Sequence, residues 1–454
     1  MPRDSAIIWQ NADRTVTIID IPHSISCAQT LGNRPHPGSL LSIPPLEKPY
    51  VTREPKNASK QAKLAGNTVE PRLHAIYASA IENAFASIST THNDQWCFRR
   101  PFVTQPPPRS KKRKLSSERE EPASSDAAQA ASRPIEVSVD FLPFESTPSI
   151  SKIDGVRSVD VYDDDEEENF ASAAPDVTSP VKMSLVHPKD QKAVLDLLIP
   201  PKSSFVLGPV SDSNNFRHSV QIQAQKLDVP KKFDLILMDP PWRNRSVRRT
   251  HKTPNSTYKV SSSHDDIFSM MVKMDLDMLM ADPCLVAIWI TNSPTIRELV
   301  LGKGGLFEHW GVKLVEEWVW LKVTKDGEPV SSIDSLWMKP YEVLLVGRVD
   351  NSWQQAPRQE QFQSQEESSD DDEVKRRVIF GVPDLHSRKP CVKELIEPMM
   401  PDWREYRALE IFSRHLVAGW WSWGDECVKF NWQGYWQHDD SSAEVQQQSV
   451  VRLS

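Results

Sequence analysis

The fold is decided by Phe233-Asp234-Leu235-Ile236-Leu237-Met238-Asp239-Pro240-Pro241-Trp242. Its first six residues are a short apolar run with the length of a buried strand. Each proline that follows fixes its own φ and lacks an N–H, so we expect a stiff loop after the strand. Active sites of open α/β sheets lie where strands end in such loops. The sequence therefore predicts a catalytic loop at Asp239, Pro240, Pro241 and Trp242.

The groups on this loop suit the exocyclic amine of adenine. That nitrogen is a poor nucleophile and carries two N–H donors, which the Asp239 carboxylate and the Pro240 carbonyl are able to accept. Trp242 offers an indole face on which an unpaired base can stack, a contact worth roughly 1–3 kcal/mol. The alternative is a purely structural Pro-Pro turn beside a tryptophan of the core.

Composition limits the classes of function. The chain has 454 residues and a formal net charge of -8, which argues against a globally basic nucleic-acid coat protein. Its five cysteines are widely spaced and form no CxxC pair, so we expect neither a disulfide framework nor a metal site. No apolar stretch reaches the roughly 18 residues of a membrane span. We expect a soluble intracellular protein.

Periodicity predicts secondary structure along the chain. Ala6–Gln10 and Thr15–Ile21 read as a hairpin, and Glu70–Ser89 as an amphipathic helix. A helix is predicted from Pro188 to Pro200. Further on, apolar runs alternate with helical patterns, which is typical of a parallel sheet wound on both faces.

Several later motifs, in order, accompany the Asp-Pro-Pro-Trp loop. The motifs are Pro200-Pro201-Lys202-Ser203-Ser204-Phe205, Trp289-Ile290-Thr291, Lys339-Pro340-Tyr341-Glu342, Ser387-Arg388-Lys389-Pro390, Glu410-Ile411-Phe412-Ser413-Arg414-His415 and Gly419-Trp420-Trp421-Ser422-Trp423-Gly424-Asp425-Glu426. Together they resemble the DPPW-type eukaryotic adenine-N6 methyltransferases, from about Pro200 to Gln433. The resemblance implies a Rossmann-like α/β fold with a mostly parallel, doubly wound sheet.

The resemblance also implies S-adenosylmethionine as cofactor. Lys389 takes the position that contacts the cofactor's carboxylate, and Asp425 takes the position expected to bind its ribose. The residues expected to hold the cofactor are Val210, Lys389, Arg414, His415, Asp425 and Glu426. Four positions depart from the family pattern: Pro209, Ser413, His415 and Asp425.

Substrate contacts are predicted beside the loop. A dense basic run follows Trp242 in an otherwise acidic protein, and such a run suits nucleic-acid phosphates; the alternative is a solvated loop. Glu317 and Lys322 match family positions near the reaction site, or else form an ion pair at the rim of the sheet. The predicted substrate-binding residues are Arg243, Arg245, Arg248, Arg249, Tyr258, Glu317, Lys322 and Lys339.

These expectations divide the chain into four parts. They are a small α+β N-terminal region (1–105), a disordered linker (106–185), a methyltransferase domain (186–435) with a disordered acidic insertion (351–376), and a disordered tail (436–454). The linker holds a basic cluster, Arg109–Lys114, that reads as a nuclear import signal or a solvated patch, and an acidic run, Asp163–Glu168. The nucleus is the expected location.

The predicted function is methylation of adenine N6 in a single-stranded or flipped-out nucleic acid. RNA is favoured over DNA, with small nuclear RNA and a 2′-O-methylated adenosine as the implied target. The main alternative is an inactive nucleic-acid-binding scaffold subunit, motivated by the cofactor-side departures. Methylation of a protein side-chain amide is a third, weaker reading.

Overall fold

The computed structural model describes fifteen stretches of the chain. They are residues 5–31, 38–51, 57–59, 68–102, 149–153, 159–160, 171–173, 180–186, 194–211, 213–242, 264–336, 339–349, 374–385, 388–402 and 404–438.

Strands dominate the architecture. They are β1 Ile7–Gln10, β2 Val16–Ile19, β3 Gly38–Leu40, β4 Ser149–Ile153, β5 Val159–Asp160, β6 Ala171–Ala173, β7 Val181–Val186, β8 Val194–Ile199, β9 Ser204–Leu207, β10 Phe233–Met238, β11 Met280–Ile290, β12 Val312–Lys322, β13 Tyr341–Val349, β14 Lys375–Gly381, β15 Ala408–Ile411, β16 Trp421–Trp423 and β17 Trp436–His438. A 12-stranded sheet has the order β1-β2-β14-β12-β13-β11-β10-β15-β16-β9-β6-β5, and two small sheets pair β17 with β3 and β4-β7-β8.

Helices are fewer and cover both faces of this sheet. They are α1 Ile21–Ala28, α2 Pro71–Thr91, α3 Ser213–Leu227, α4 His264–Val272, α5 Pro294–Leu301, α6 Leu306–His309 and α7 Lys393–Ile396, with 3-10 turns at Leu276–Leu279, Glu397–Met399, Lys429–Asn431 and Gln433–Tyr435. Pro71 opens α2 directly after Glu70, whose carboxylate accepts the backbone N–H groups of the first turn.

Two hydrophobic layers flank the sheet because successive side chains of a strand point to opposite faces. On β10, Ile236 and Met238 belong to one layer, with α2, α3 and α5. Leu235 and Leu237 belong to the other, with α1 and α7. All four side chains are at most 4% exposed, so β10 is a central buried strand as predicted.

The predicted α/β fold class is confirmed, and the sheet is mixed. The strands β11, β10, β15, β16 and β9 are parallel, whereas β13 runs antiparallel to both of its neighbours. The N-terminal hairpin does not stand apart, because β2 pairs with β14 and extends the same sheet. Among the described residues no helix is long and apolar enough to cross a membrane.

The helix predicted before Pro200 is wrong. Residues 194–199 form β8, which pairs antiparallel with β7. Leu197 and Ile199 are fully buried, whereas Asp196 is exposed and Leu198 is half-buried, which is the two-residue period of a strand. The apolar run is short enough to suit either structure, and pairing with β7 decides it.

Several segments that were predicted to be disordered contain strands. Strands β4, β5, β6 and most of β7 lie inside the predicted linker, and β17 opens the predicted tail. The basic cluster 109–114, the acidic run 163–168 and nearly all of the predicted insertion lie outside the described residues.

Candidate active site

The carboxyl ends of five parallel strands meet at one edge of the sheet. Asp239 follows β10, Arg414 and His415 follow β15, Asp425 follows β16, and Val210 follows β9, while β11 ends beside β10. Ligands of open α/β sheets bind in the crevice outside such strand ends, where the winding direction reverses. Here the reversal lies between β10 and β15. The topology thus brings the predicted catalytic and cofactor residues onto one edge.

The loop after β10 is a tight turn. The Trp242 N–H donates to the Pro240 carbonyl over 2.7 Å. The Trp242 indole is 5% exposed, and its Nε1–H donates to the Trp289 carbonyl over 2.6 Å. These bonds fix the Pro240 carbonyl, which keeps a second lone pair for another donor. Because the indole packs in the core, its observed role is to brace the loop; stacking on adenine stays a prediction.

Alternating charges line the loop. The Lys389 ammonium lies 2.7 Å from the Asp239 carboxylate and 3.3 Å from that of Glu342, which also pairs with Lys322. Burial opposes the charge on Lys389, but the two carboxylates outweigh it and raise the Lys389 pKa above its ordinary value. Burial also acts against the Glu342 charge, yet the two lysines hold its pKa at about 2. Lys389 and Glu342 are therefore both ionised at neutral pH.

Two tryptophans form the floor beneath these lysines. Lys389 Nζ lies 5.5 Å from the Trp289 ring centroid, and Lys322 Nζ lies 4.8 Å from that of Trp320. The two rings meet edge to face at 5.9 Å. Cation–π attraction and ring packing both restrict where the ammonium groups can lie.

The turns after β15 and β16 require special backbone conformations. Phe412 takes a left-handed conformation (φ 60°), which is uncommon for a bulky residue. Gly424 has φ 151°, and a Cβ at that position would lie 3.3 Å from the Phe412 Cα. Glycine therefore lets the two turns approach each other at the edge of the site.

Beyond Gly424, the carboxylates differ in their surroundings. Glu426 lies 3.2 Å from the Arg414 guanidinium and 2.9 Å from Lys429, so its charge is paired. Burial, and then the Glu426 charge, raise the pKa of Asp425 to about 6. Asp425 is therefore largely ionised at neutral pH and ready to accept hydroxyl donors.

Several buried polar atoms on β15 and β16, or in the turn after β15, have no hydrogen-bond partner among the described residues. Within the described residues, Glu410 Oε2, Ser413 Oγ, His415 Nε2 and Ser422 Oγ have no hydrogen-bond partner, although each residue is at most 8% exposed. Burial, and then the Asp239 charge, raise the pKa of Glu410 to about 8, while burial lowers that of His415 to about 3. Buried polar groups are normally satisfied. This surplus of donors and acceptors fits a polar ligand at the strand ends.

Comparison with known families agrees with this geometry. Residues 233–426 match the family described as MT-A70, a span that runs from the start of β10 to the turn after β16. Over this span the chain is similar to the MT-A70 family.

Relatives extend the match beyond the MT-A70 domain. The chain is 29% identical over 461 residues to the N6-methyladenosine RNA methyltransferase MTA1 of Pyricularia oryzae, covering 97% of this chain and 98% of the relative. It is 38% identical over 236 residues to the MTA1 of Cryphonectria parasitica, covering 52% and 61%. It is 34% identical over 242 residues to the N(6)-adenine-specific methyltransferase METTL4 of Homo sapiens, covering 52% and 44%. The chain thus spans the first relative almost completely and about half of the human one.

Glu317 lies away from the active site of the MT-A70 domain. It is fully buried in mid-strand, where it pairs with Arg297 at 2.7 Å and Arg376 at 3.1 Å and accepts the Tyr77 hydroxyl at 3.1 Å. A carboxylate so enclosed has no surface to offer a substrate. Its predicted substrate contact is corrected to a structural one that ties the sheet to α2.

Lys339 is likewise turned toward the N-terminal helix. Its ammonium lies 3.0 Å from His74 Nε2 and donates to the Ile333 carbonyl over 3.0 Å. Of the predicted substrate residues that the structure describes, Lys322 alone lies beside Lys389 through Glu342. Arg243, Arg245, Arg248, Arg249 and Tyr258 lie outside the described residues.

Three residues at the site, Glu342, Trp289 and Glu410, were given no role in the prediction from sequence. Glu342 was part of a quoted motif but received no role, and its position at the start of a strand was the available signal. Trp289 and Glu410 likewise lie in quoted motifs at strand ends. In the part of the chain that is described, no group of three or more His, Cys, Asp or Glu residues could hold a metal ion.

Proposed function

We propose that the protein transfers a methyl group from S-adenosylmethionine to the N6 amine of an adenine in nucleic acid. One observation carries the proposal: Asp239 lies on a stiff turn at the end of β10, 2.7 Å from Lys389. This partly buried Asp–Lys pair joins the residue that orients the amine to the residue that holds the cofactor. The names of the relatives agree with this reaction.

The residues present fit the cofactor. Lys389 would hold its carboxylate, and Asp425 would accept its ribose hydroxyls. The unpartnered atoms of Glu410 and Ser422 lie on β15 and β16, and that of Ser413 lies in the turn after β15. When bound, S-adenosylmethionine supplies an electrophilic methyl group on a positively charged sulfur.

Asp239 and the Pro240 carbonyl orient the acceptor amine. Each accepts one of its two N–H groups, which turns the nitrogen lone pair toward the methyl group. The Trp242 bonds keep the carbonyl in place, and Lys389 keeps the carboxylate fixed. An in-line transfer needs mainly positioning, so these restraints supply most of the rate. The surplus proton on the methylated nitrogen passes to Asp239 or water.

RNA is the preferred substrate within this proposal. The relative that matches nearly the whole chain is named an RNA methyltransferase. Small nuclear RNA with a 2′-O-methylated adenosine is the target to test first, with DNA second. We place the protein in the nucleus because of the basic cluster Arg109–Lys114.

A first experiment separates the enzyme from an inactive scaffold. Purified protein and a Lys389→Ala variant are titrated calorimetrically with S-adenosylmethionine, and RNA and DNA oligonucleotides are then assayed for N6-methyladenine by mass spectrometry. We expect saturable binding that Lys389→Ala loses, and methylation that Asp239→Ala abolishes while keeping cofactor binding. Folded wild-type protein that binds no cofactor at millimolar concentration would favour the scaffold.

A further inference from the structure

The segment that carries Lys389 is enclosed by the N-terminal part of the chain. We call residues 382–392, between β14 and α7, the Lys389 segment; residues 382–385 and 388–392 of it are described. We call residues 5–102 the N-terminal region. The two are about 280 residues or more apart in sequence, yet the N-terminal region contacts the Lys389 segment at both of its ends.

Arg100 donates hydrogen bonds to the N-terminal end of the Lys389 segment. The residue is 5% exposed, and its guanidinium donates to the Val382 and Pro383 carbonyls, each over 2.9 Å. Asp20 lies 3.4 Å from the same guanidinium and also accepts the first-turn N–H of α1 over 2.9 Å. Arg100 therefore ties two consecutive carbonyls of the segment to the start of α1.

The last end of the segment is held by α1 and the residues before β1. The Cys391 N–H donates to Ser24 Oγ over 2.9 Å, and both residues are buried. Just beyond the segment, the Ala6 N–H donates to the Glu394 carboxylate over 3.1 Å. These bonds fix the chain two and five residues after Lys389.

The middle of the segment is held beside β3. Arg388, which precedes Lys389, donates to the Leu41 carbonyl over 3.0 Å and pairs with Asp384. Asp384 in turn accepts the Ile43 N–H over 3.2 Å. The Arg388 guanidinium also lies over the Phe430 ring at 4.2 Å. The side chains of Asp384 and Arg388 are thus both restrained by the N-terminal region.

We propose that the N-terminal region is a positioning clamp for Lys389, with Arg100 as its principal positioning residue. The role assigned to Lys389 rests on the proposed function, while the clamp itself is a statement about how the segment is held. A segment held at both ends and in the middle keeps the ammonium against Asp239 before any ligand arrives. Preorganisation of this kind lowers the entropic cost of binding.

Cysteine alkylation of the full-length protein tests the clamp directly. Cys391 lies in the segment and is 5% exposed, whereas Cys284 at 1% and Cys427 at 0% are buried elsewhere. The rate of N-ethylmaleimide addition at each thiol is measured by mass spectrometry. A released segment opens locally and exposes Cys391 alone, and general unfolding exposes all three thiols.

Arg100→Met removes the hydrogen bonds to the Val382 and Pro383 carbonyls. Arg100→Lys retains the positive charge beside Asp20 but has a single donor group in place of the guanidinium. We expect Cys391 to react about tenfold faster or more in Arg100→Met and at an intermediate rate in Arg100→Lys. The alkylation rates of Cys284 and Cys427 should not change in either variant. Ser24→Ala, which loses the bond to Cys391 and the local hydroxyl bond to the Ile21 carbonyl, should also accelerate Cys391. Arg217→Met, which removes an exposed ion pair with Asp275, is the matched control and should change nothing.

Steady-state kinetics supply a readout that a merely structural role would not move. Partial unfolding lowers the active fraction and so lowers kcat with KM unchanged. A loosened Lys389 instead raises KM for the cofactor, by about tenfold in Arg100→Met, and any fall in kcat comes in addition to that rise.

The clamp is refuted if Cys391 stays as slow as Cys284 in both Arg100→Met and Ser24→Ala. It is equally refuted if the three buried thiols accelerate together in both variants. Alkylation needs neither cofactor nor substrate. A wild-type protein without methyltransferase activity therefore refutes the proposed function and leaves the test of the clamp intact.

Discussion

Replacement of Glu410 by glutamine should change how stability depends on pH. Glu410 lies on β15 beside Leu237 and Ser422 of the neighbouring strands, is 8% exposed, and has one carboxyl oxygen with no partner in the described part of the chain. Burial, then the Asp239 charge, raise its pKa from 4.5 to about 8. Folded protein therefore keeps this carboxyl protonated at neutral pH.

The sign and size of the effect follow from linkage. Between pH 4.5 and 8 the unfolded chain has released this proton and the folded chain has not, so stability falls as pH rises. The full difference corresponds to about 5 kcal/mol, of which about 3–4 kcal/mol should develop between pH 5 and pH 8. Glutamine cannot ionise. The stability of Glu410→Gln relative to wild type should therefore rise by that amount over this range.

Urea unfolding followed by tryptophan fluorescence, without ligand, measures this difference at each pH. Other titrating groups are common to both proteins and cancel in the comparison. Glu405→Gln, at an exposed position, is the control and should show a flat difference. A flat difference for Glu410→Gln as well would mean that Glu410 is ionised in the folded protein, and the argument from burial would be wrong.

Three further substitutions test separate parts of the structure. Glu317→Gln leaves two arginines without their buried counter-charge and should cost about 3 kcal/mol in urea unfolding, with KM for the cofactor unchanged in the folded protein; a raised KM would return Glu317 to the site. Trp242→Phe removes the indole bond to β11 and should cost about 1–3 kcal/mol of stability and lower kcat more than KM changes, as steady-state assays would show. Gly424→Ala places an alanine at a positive φ against the turn after β15. It should reduce the free energy of unfolding and the free energy of cofactor binding by about 1–3 kcal/mol each, seen as a lower thermal midpoint and a weaker calorimetric titration. Unchanged values would show that the turn has room for a Cβ atom.

The central strand and its loop could be predicted from the sequence because local rules agree there. Residues 235–238 are apolar on both faces, as expected for a central strand of a covered sheet, and two prolines follow the run. The strand β8 offered no such agreement. Its apolar residues suit a helix as well as a strand, and the choice depends on β7, which lies eight or more residues earlier.

Distance along a strand explains the mistaken role of Glu317. Glu317 and Lys322 belong to the same strand, and sequence does not reveal which of them lies at the edge. At about 3.3 Å per residue, the two positions are roughly 16 Å apart. Only the pairing of β12 with β13 and β14 shows that Lys322 is at the carboxyl end and Glu317 in the interior.

The pairing of Lys389 with Asp239 does not compete with its role toward a cofactor. An ammonium group has three N–H donors. Its described contacts, with Asp239 and Glu342, engage two of them and leave one for an incoming carboxylate. Lys322 supplies a second positive charge to Glu342, so the four groups are balanced before a ligand binds. Loss of Lys389 would therefore do more than remove a ligand contact. It would leave two carboxylates, Asp239 and Glu342, with Lys322 as the one remaining cation of the four groups. The Asp239 carboxylate, which orients the amine, would then lose its fixed position.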